Sequence, residues 1–181
     1  MSAPAVANRY AKALFELAKE KGIVEQINDE IQGVQAVFES VPQLQEVMAH
    51  PRMSVKDQRT LLQTGFSDCH AIILNTLYVM VDRGRIDIIA PVAHAFQSFA
   101  DEEFQIARAN VRAVRPLSDR EKEEVARQFA KKVNNRQVVV TSEEDDDLIG
   151  GLIVQIGDSV YDGSVRGMLR RMERKLVTTN R

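Results

Sequence analysis

Few residues of this chain offer the nucleophiles, bases, metal ligands or phosphate cradles that chemistry needs. His50, His70 and His94 fall on different elements with no second ligand at close spacing, so a structural or surface role is expected rather than a metal site. The single Cys69 has no thiol partner and no local base, and it stands just before an apolar helix, where a small hydrophobe belongs. The acidic run Glu143–Asp147 resembles a cation loop in charge only. It lacks the alternating ligands and central glycine of a calcium site, and reads as a solvated turn. The stretch Leu148–Met172 is the unusual one, with five of the chain's nine glycines followed directly by arginines.

A phosphate loop would explain glycines before basic residues, but it requires them between a strand and a helix start aimed at the anion, usually with Lys and Ser or Thr following. Gly150 and Gly151 stand instead inside an alternating apolar run, where glycine marks a bulge or the close approach of another backbone. Gly157 and Gly163 stand at turns, where freedom at positive φ is the ordinary reason for glycine. Arg166, Arg170, Arg171 and Arg174 line the outer face of an amphipathic helix without the interleaved aromatics of a single-strand binder. No catalytic residue, cofactor site or metal site follows from these patterns.

The elements that carry these residues divide into two textures. From Val6 to about Phe104 the pattern is helical throughout. Val6, Tyr10, Leu14 and Leu17 share one stripe, and Ile27, Ile31, Val34 and Phe38 form a second at the same period. Gly22 separates these helices and Pro42 ends the second. Ser54 caps a helix bearing Leu61, Leu62 and Phe66. Residues 69–83 are apolar nearly all round, which predicts a central helix, and a last one carries Ile88, Ile89, Val92, Phe96 and Phe99. Five or six antiparallel helices with short turns make a bundle.

After Gln105 the period changes. Ala107, Ala109, Val111 and Ala113 alternate with polar residues as a strand does, and Pro116 stops it. Ser118 and Glu121 form a capping box for a helix with Val125, Phe129 and Val133. "QVVVT" is a second strand, and "LIGGLIVQI" with "SVYDG" predicts a hairpin. Ser164 caps a final helix with an apolar stripe of Val165, Met168, Leu169, Met172 and Leu176. The fold class is thus an all-α N-terminal bundle over residues 1–105 plus a small α+β domain over residues 106–181.

Composition narrows the function classes. Hydrophobic content of 44% with 28% charged residues is globular, and a net charge of −2 gives no global pull toward nucleic acid or anionic lipid. The halves differ: residues 1–105 carry 9 Lys and Arg against 14 Asp and Glu, and residues 106–181 carry 15 against 12. One cysteine cannot form an internal disulfide, which suits a reducing compartment or a fold indifferent to redox. The N-terminus lacks the uninterrupted apolar core of a signal peptide, and Glu16 and Glu20 argue against a transit peptide. "AIILNTLYVMV" is too short to span a bilayer.

"LIGGLIVQIGDSVYDGSVRGMLRRM" resembles the C-terminal signature of the δ subunits of bacterial F-type ATP synthase, the equivalents of the mitochondrial oligomycin-sensitivity-conferring protein. "NRYAKALFELA" (Asn8–Ala18) resembles that family's opening helix, and "LNTLYVMVDRGRID" its fifth. The resemblance runs over nearly the whole chain and implies a six-helix bundle followed by a small α+β domain. It departs from the family pattern at the acidic turn, where Glu144 and Asp146 replace an apolar residue and a proline.

The family's role implies a subunit that catalyses nothing and needs no cofactor. Such a subunit ties the α/β catalytic crown to the peripheral stalk against the torque of the rotor. By resemblance, residues 1–105 receive the N-terminal helices of α subunits, with β subunits nearby, and residues 106–181 meet b-type stalk subunits. The location implied is the cytoplasmic side of the bacterial plasma membrane, reached only through the complex. A helix-in-groove contact needs apolar anchors one turn apart. Tyr10, Ala13 and Leu14 on the first helix, with Asn75 and Val79 on the fifth, offer them, unless these residues only pack inside the bundle. Arg166, Arg170, Arg171 and Arg174 either meet acidic stalk helices or form a solvated face. Two other readings stand beside this one. A helical adaptor would bind one amphipathic helix, and a nucleic-acid binder would lose affinity steeply with salt.

Overall fold

The computed structural model describes residues 3–50, 52–134 and 136–179. Among them are eight α-helices and one four-stranded sheet, and no helix is long and apolar enough to cross a membrane. Backbone contacts group the chain into two compact units, Met1–Glu103 and Phe104–Arg181.

The first unit holds α1 (Ala3–Glu20), α2 (Val24–Ser40), α3 (Pro42–Ala49), α4 (Val55–Gly65), α5 (Ala71–Asp82) and α6 (Ile89–Glu103), with a 3-10 turn at Ile86–Ile88. Gly22 and Gly84 take φ of 67° and 60° where the chain reverses, and Pro42 opens α3 at a position whose N–H no helix bond needs. Ser54 accepts from the Asp57 amide and starts α4. The centre is α6, which packs on α1 and α2 and completely buries Val92, Ala93 and Phe96. Phe15 meets Phe96 edge-on at 6.0 Å, and Phe38 stacks with Phe66 at 6.1 Å.

One sequence expectation changes here. Residues 69–83 are not enclosed on all sides. α5 buries Ile72, Ile73, Leu77, Met80 and Val81 against α1 and α4, but leaves Asn75 and Val79 exposed. Leu17, on the apolar stripe of α1, and Leu61, an apolar residue of α4, are both exposed. In α1 the buried positions are Val6, Ala7, Ala11, Leu14, Phe15 and Ala18, and the three alanines among them leave room for neighbouring helices to approach.

In the second unit β1 (Ile106–Ala113) pairs in parallel with β2 (Gln137–Glu144) and antiparallel with β3 (Leu152–Ile156), which pairs with β4 (Ser159–Asp162). The order is β2-β1-β3-β4. Parallel pairing of β1 and β2 requires a crossover, and α7 (Asp119–Ala130) supplies it. Ala107, Ala109, Val111 and Ala113 are buried with Val125, Phe129, Val138 and Val154, while Arg108 and Arg112 face outward. The capping box is formed: Ser118 Oγ accepts from the Glu121 amide, and Glu121 Oε2 accepts from the Ser118 amide at 2.9 Å. The chain closes with α8 (Val165–Thr179).

Candidate functional site

Helices α1 and α5 lie side by side, and between them runs a groove of about 250 Å³ lined by Tyr10, Ala13, Leu14, Leu17, Ile72, Asn75, Thr76 and Val79. All five residues singled out for a helix contact, Tyr10, Ala13, Leu14, Asn75 and Val79, meet here. They do not play equal parts. Leu14 is 1% exposed and forms the floor, as Ile72 does, while Val79 is 48% and Leu17 47% exposed on the rims. Asn75 and Ala13 are exposed and Tyr10 half-buried, so polar groups sit among apolar walls. Leu17, Ile72 and Thr76 were missed as lining residues. The signal for Leu17 was present, since it shares a stripe with Tyr10 and Leu14, but a stripe does not say whether its neighbour is core or water.

The groove holds no convergent acids, bases or nucleophiles. Elsewhere several titratable groups make structural contacts. His70 caps α5, its Nδ1 accepting from the Ile72 amide at 3.2 Å, and its own amide donates to Glu30. His94 contacts Gln35 across α2 and α6 at 3.2 Å. Cys69 is half-buried against the core, and burial pushes its thiol upward, away from the reactive thiolate. No cluster of three or more potential metal ligands occurs among the described residues. In the acidic turn Asp145 pairs with Arg112 at 3.3 Å and accepts from the Asp147 amide. The larger hollow between α4 and α5, about 590 Å³, is crossed by the Arg59–Asp82 ion pair.

The arginines of α8 do not form a uniform row. All four are exposed, but Arg171 turns back to donate to the Asp162 carbonyl at 3.1 Å, and Arg174 donates to the Arg170 carbonyl. The apolar stripe of the same helix is open to solvent at its described side chains. Met168, Leu169 and Met172 are 50%, 58% and 53% exposed, with Ile149 and Val165 also open to solvent. Leu176 lies outside the described side chains. Exposed apolar area along one face of a helix marks a candidate contact surface.

The glycines also differ from expectation in place. Gly150 and Gly151 are not inside a strand but form the bend before β3, which begins at Leu152. Gly151 has φ of 81°, and a Cβ there would stand 2.9 Å from Ser164 Cα. Gly157, in the hairpin turn, has φ of 54°. Gly163 is not at positive φ; its constraint is space, since a Cβ would lie 3.1 Å from the Leu152 carbonyl oxygen. Gly167, which the sequence pattern did not single out, abuts the Asp162 carboxylate.

Relatives place this architecture. The model of the family described as ATP synthase delta (OSCP) subunit matches residues 6–176. The ATP synthase subunit delta of Halalkalibacterium halodurans is 43% identical over 179 residues, covering 98% of each chain. That of Shouchella clausii is also 43% identical, again over 98% of both. A chain of the Toxoplasma gondii mitochondrial ATP synthase hexamer shares the fold, with a TM-score of 0.74 at 22% identity over 94% of this chain and 97% of that one. The chain belongs to the ATP synthase delta (OSCP) subunit family.

Proposed function

We propose that this chain is a non-catalytic stator subunit of an F-type ATP synthase, linking the α/β catalytic crown to the peripheral stalk. Membership of the delta family supports the role, and the absence of convergent catalytic groups in the groove is compatible with it. In this reading α1–α6 are the family's six-helix bundle. The N-terminal helix of an α subunit lies in the α1–α5 groove, with Val79 and Leu17 as apolar rims, Tyr10 and Asn75 as polar contacts, and β subunits nearby. The residues after Gln105 meet a b-type stalk subunit through α8. Its apolar face, Met168, Leu169 and Met172, supplies the contact energy, and Arg166 and Arg170 supply charge at the rim. The protein reaches the cytoplasmic face of the plasma membrane only through the complex.

The observation that carries this reading is the groove between α1 and α5, because its walls are apolar with few polar groups, as a helix contact requires. A titration of the full-length protein with a synthetic peptide of the cognate α subunit's N-terminus tests it by NMR. Saturable shifts confined to Tyr10, Ala13, Asn75, Val79 and their neighbours are expected. Absence of saturable binding, or shifts centred on another face, would overturn the assignment of the groove.

A further inference from the structure

The uncovered helix raises a mechanical question. Among the described residues α8 lies along no other element of its unit, so little packing fixes the direction in which it leaves the sheet. What fixes it is a small polar knot at its start. Asp162 Oδ1 accepts from both the amide and the hydroxyl of Ser164, at 2.9 and 2.6 Å. The Ser164 hydroxyl, almost completely buried, accepts in turn from the Gly167 amide at 3.0 Å. Arg171, one turn further on, reaches back to the Asp162 carbonyl. On the other side the Val165 amide donates to the Gly150 carbonyl at 3.0 Å, which ties the helix start to the bend before β3.

We propose that Asp162 is the positioning residue of α8: its carboxylate, wedged between Ser164 and the bare Cα of Gly167, latches the helix at the angle that presents Met168, Leu169 and Met172 to the partner. This rests on the reading of α8 as the stalk contact. The latch assigns a purpose to glycines that a cap alone would not need. A serine cap tolerates any residue three positions on, yet at Gly167 a Cβ would stand 2.6 Å from the Asp162 carboxyl carbon. Gly151 admits the backbone of Gly163 and Ser164 in the same way. A helix held only by its own hydrogen bonds would swing about its first turn. A docking helix that swings loses affinity, because the partner must then order it on binding.

The latch makes a prediction opposite in sign to ordinary helix propensity. Alanine is a better helix former than glycine, so Gly167→Ala alone should strengthen α8 if the residue is merely helical. If Asp162 is the latch, Gly167→Ala pushes the carboxylate off Ser164 and loosens the helix. In a background of Asp162→Ala the obstruction is gone, and the same alanine should strengthen it.

Hydrogen exchange of the Val165–Met168 amides in the full-length protein reads this without any partner, with the amides of β1 as the control for folding. Asp162→Ala and Gly167→Ala are each expected to speed exchange by about tenfold. Asp162→Asn, which keeps an acceptor oxygen, is expected to stay near the native rate. In the double variant exchange should be slower than in Asp162→Ala. Slower exchange on Gly167→Ala in the native background would overturn the latch. Affinity for the cognate b-type subunit, measured on the same variants, should fall with the exchange rate. Exchange that follows this pattern while affinity stays constant would uphold the latch and sink the stalk reading of α8.

Discussion

Tyr10 and Val79 face each other's helices across the groove, half-buried and 48% exposed respectively, while Leu14 between them is 1% exposed. Burial separates their consequences. Replacing Val79 or Tyr10 by alanine removes surface that a partner would cover, and is expected to weaken the α-peptide complex by about 1–3 kcal/mol. Because Val79 is a rim residue, Val79→Ala should change the unfolding free energy by only about 0.5 kcal/mol. Leu14→Ala would leave a hole in the bundle and cost about 2–5 kcal/mol of stability, so any affinity it loses says little about contact. Isothermal titration with the peptide, beside urea unfolding of each variant, separates the two effects. Affinity unchanged in both Tyr10→Ala and Val79→Ala would place the site elsewhere on the helices.

At the scale of elements, α7 shows how a local signal becomes an electrostatic one. Arg115 donates to both oxygens of Glu121, at 2.7 and 3.1 Å, and the Ser118 amide and hydroxyl donate as well. The Arg115 bonds foremost, with those from Ser118, hold the Glu121 carboxyl down to about 2, from an ordinary value of 4.5. The folded-state value lies below the unfolded one, so this network stabilises the fold above pH 4.5 and its contribution drains away as the pH falls toward 2. Thermal unfolding over that range should show Glu121→Gln less stable than the native chain at neutral pH, with the gap closing in acid. A gap independent of pH would mean that the charge does not matter. The Ser118–Glu121 box was legible because a cap is written within four residues. So was the alternation of β1, where Ala107, Ala109, Val111 and Ala113 all lie on the buried face. Gly150 and Gly151 were misplaced within a strand because an apolar alternating run looks the same through a bend. Only the approach of Gly163 and Ser164, twelve or more residues away, reveals it. The stripe of α8 was legible as a stripe, but the period of a helix does not say whether its apolar face meets its own chain or another.

At the scale of the molecule, the two units differ in charge as well as in fold, with an acidic helical half and a basic mixed half. One exposes an apolar groove, the other an apolar helix face. A tether with two unlike ends fails differently according to which end is lost. In reconstituted membranes depleted of this subunit, ATP hydrolysis by the catalytic complex should persist, because the protein contributes no group to the reaction. Proton-driven synthesis should collapse, because the crown would turn with the rotor instead of resisting it. Adding back the intact chain should restore synthesis. Adding residues 1–105 should not, although that fragment keeps the groove and should compete with the intact chain for the crown. Synthesis restored by the fragment alone would show that the second unit carries no load. Hydrolysis lost together with synthesis on depletion would show that the subunit acts on the catalytic cycle itself rather than on its anchoring. A fragment that neither restores synthesis nor competes would place the crown contact outside the α1–α5 groove. The competition is therefore the discriminating measurement: it asks whether one end of the tether still binds after the other has been cut away.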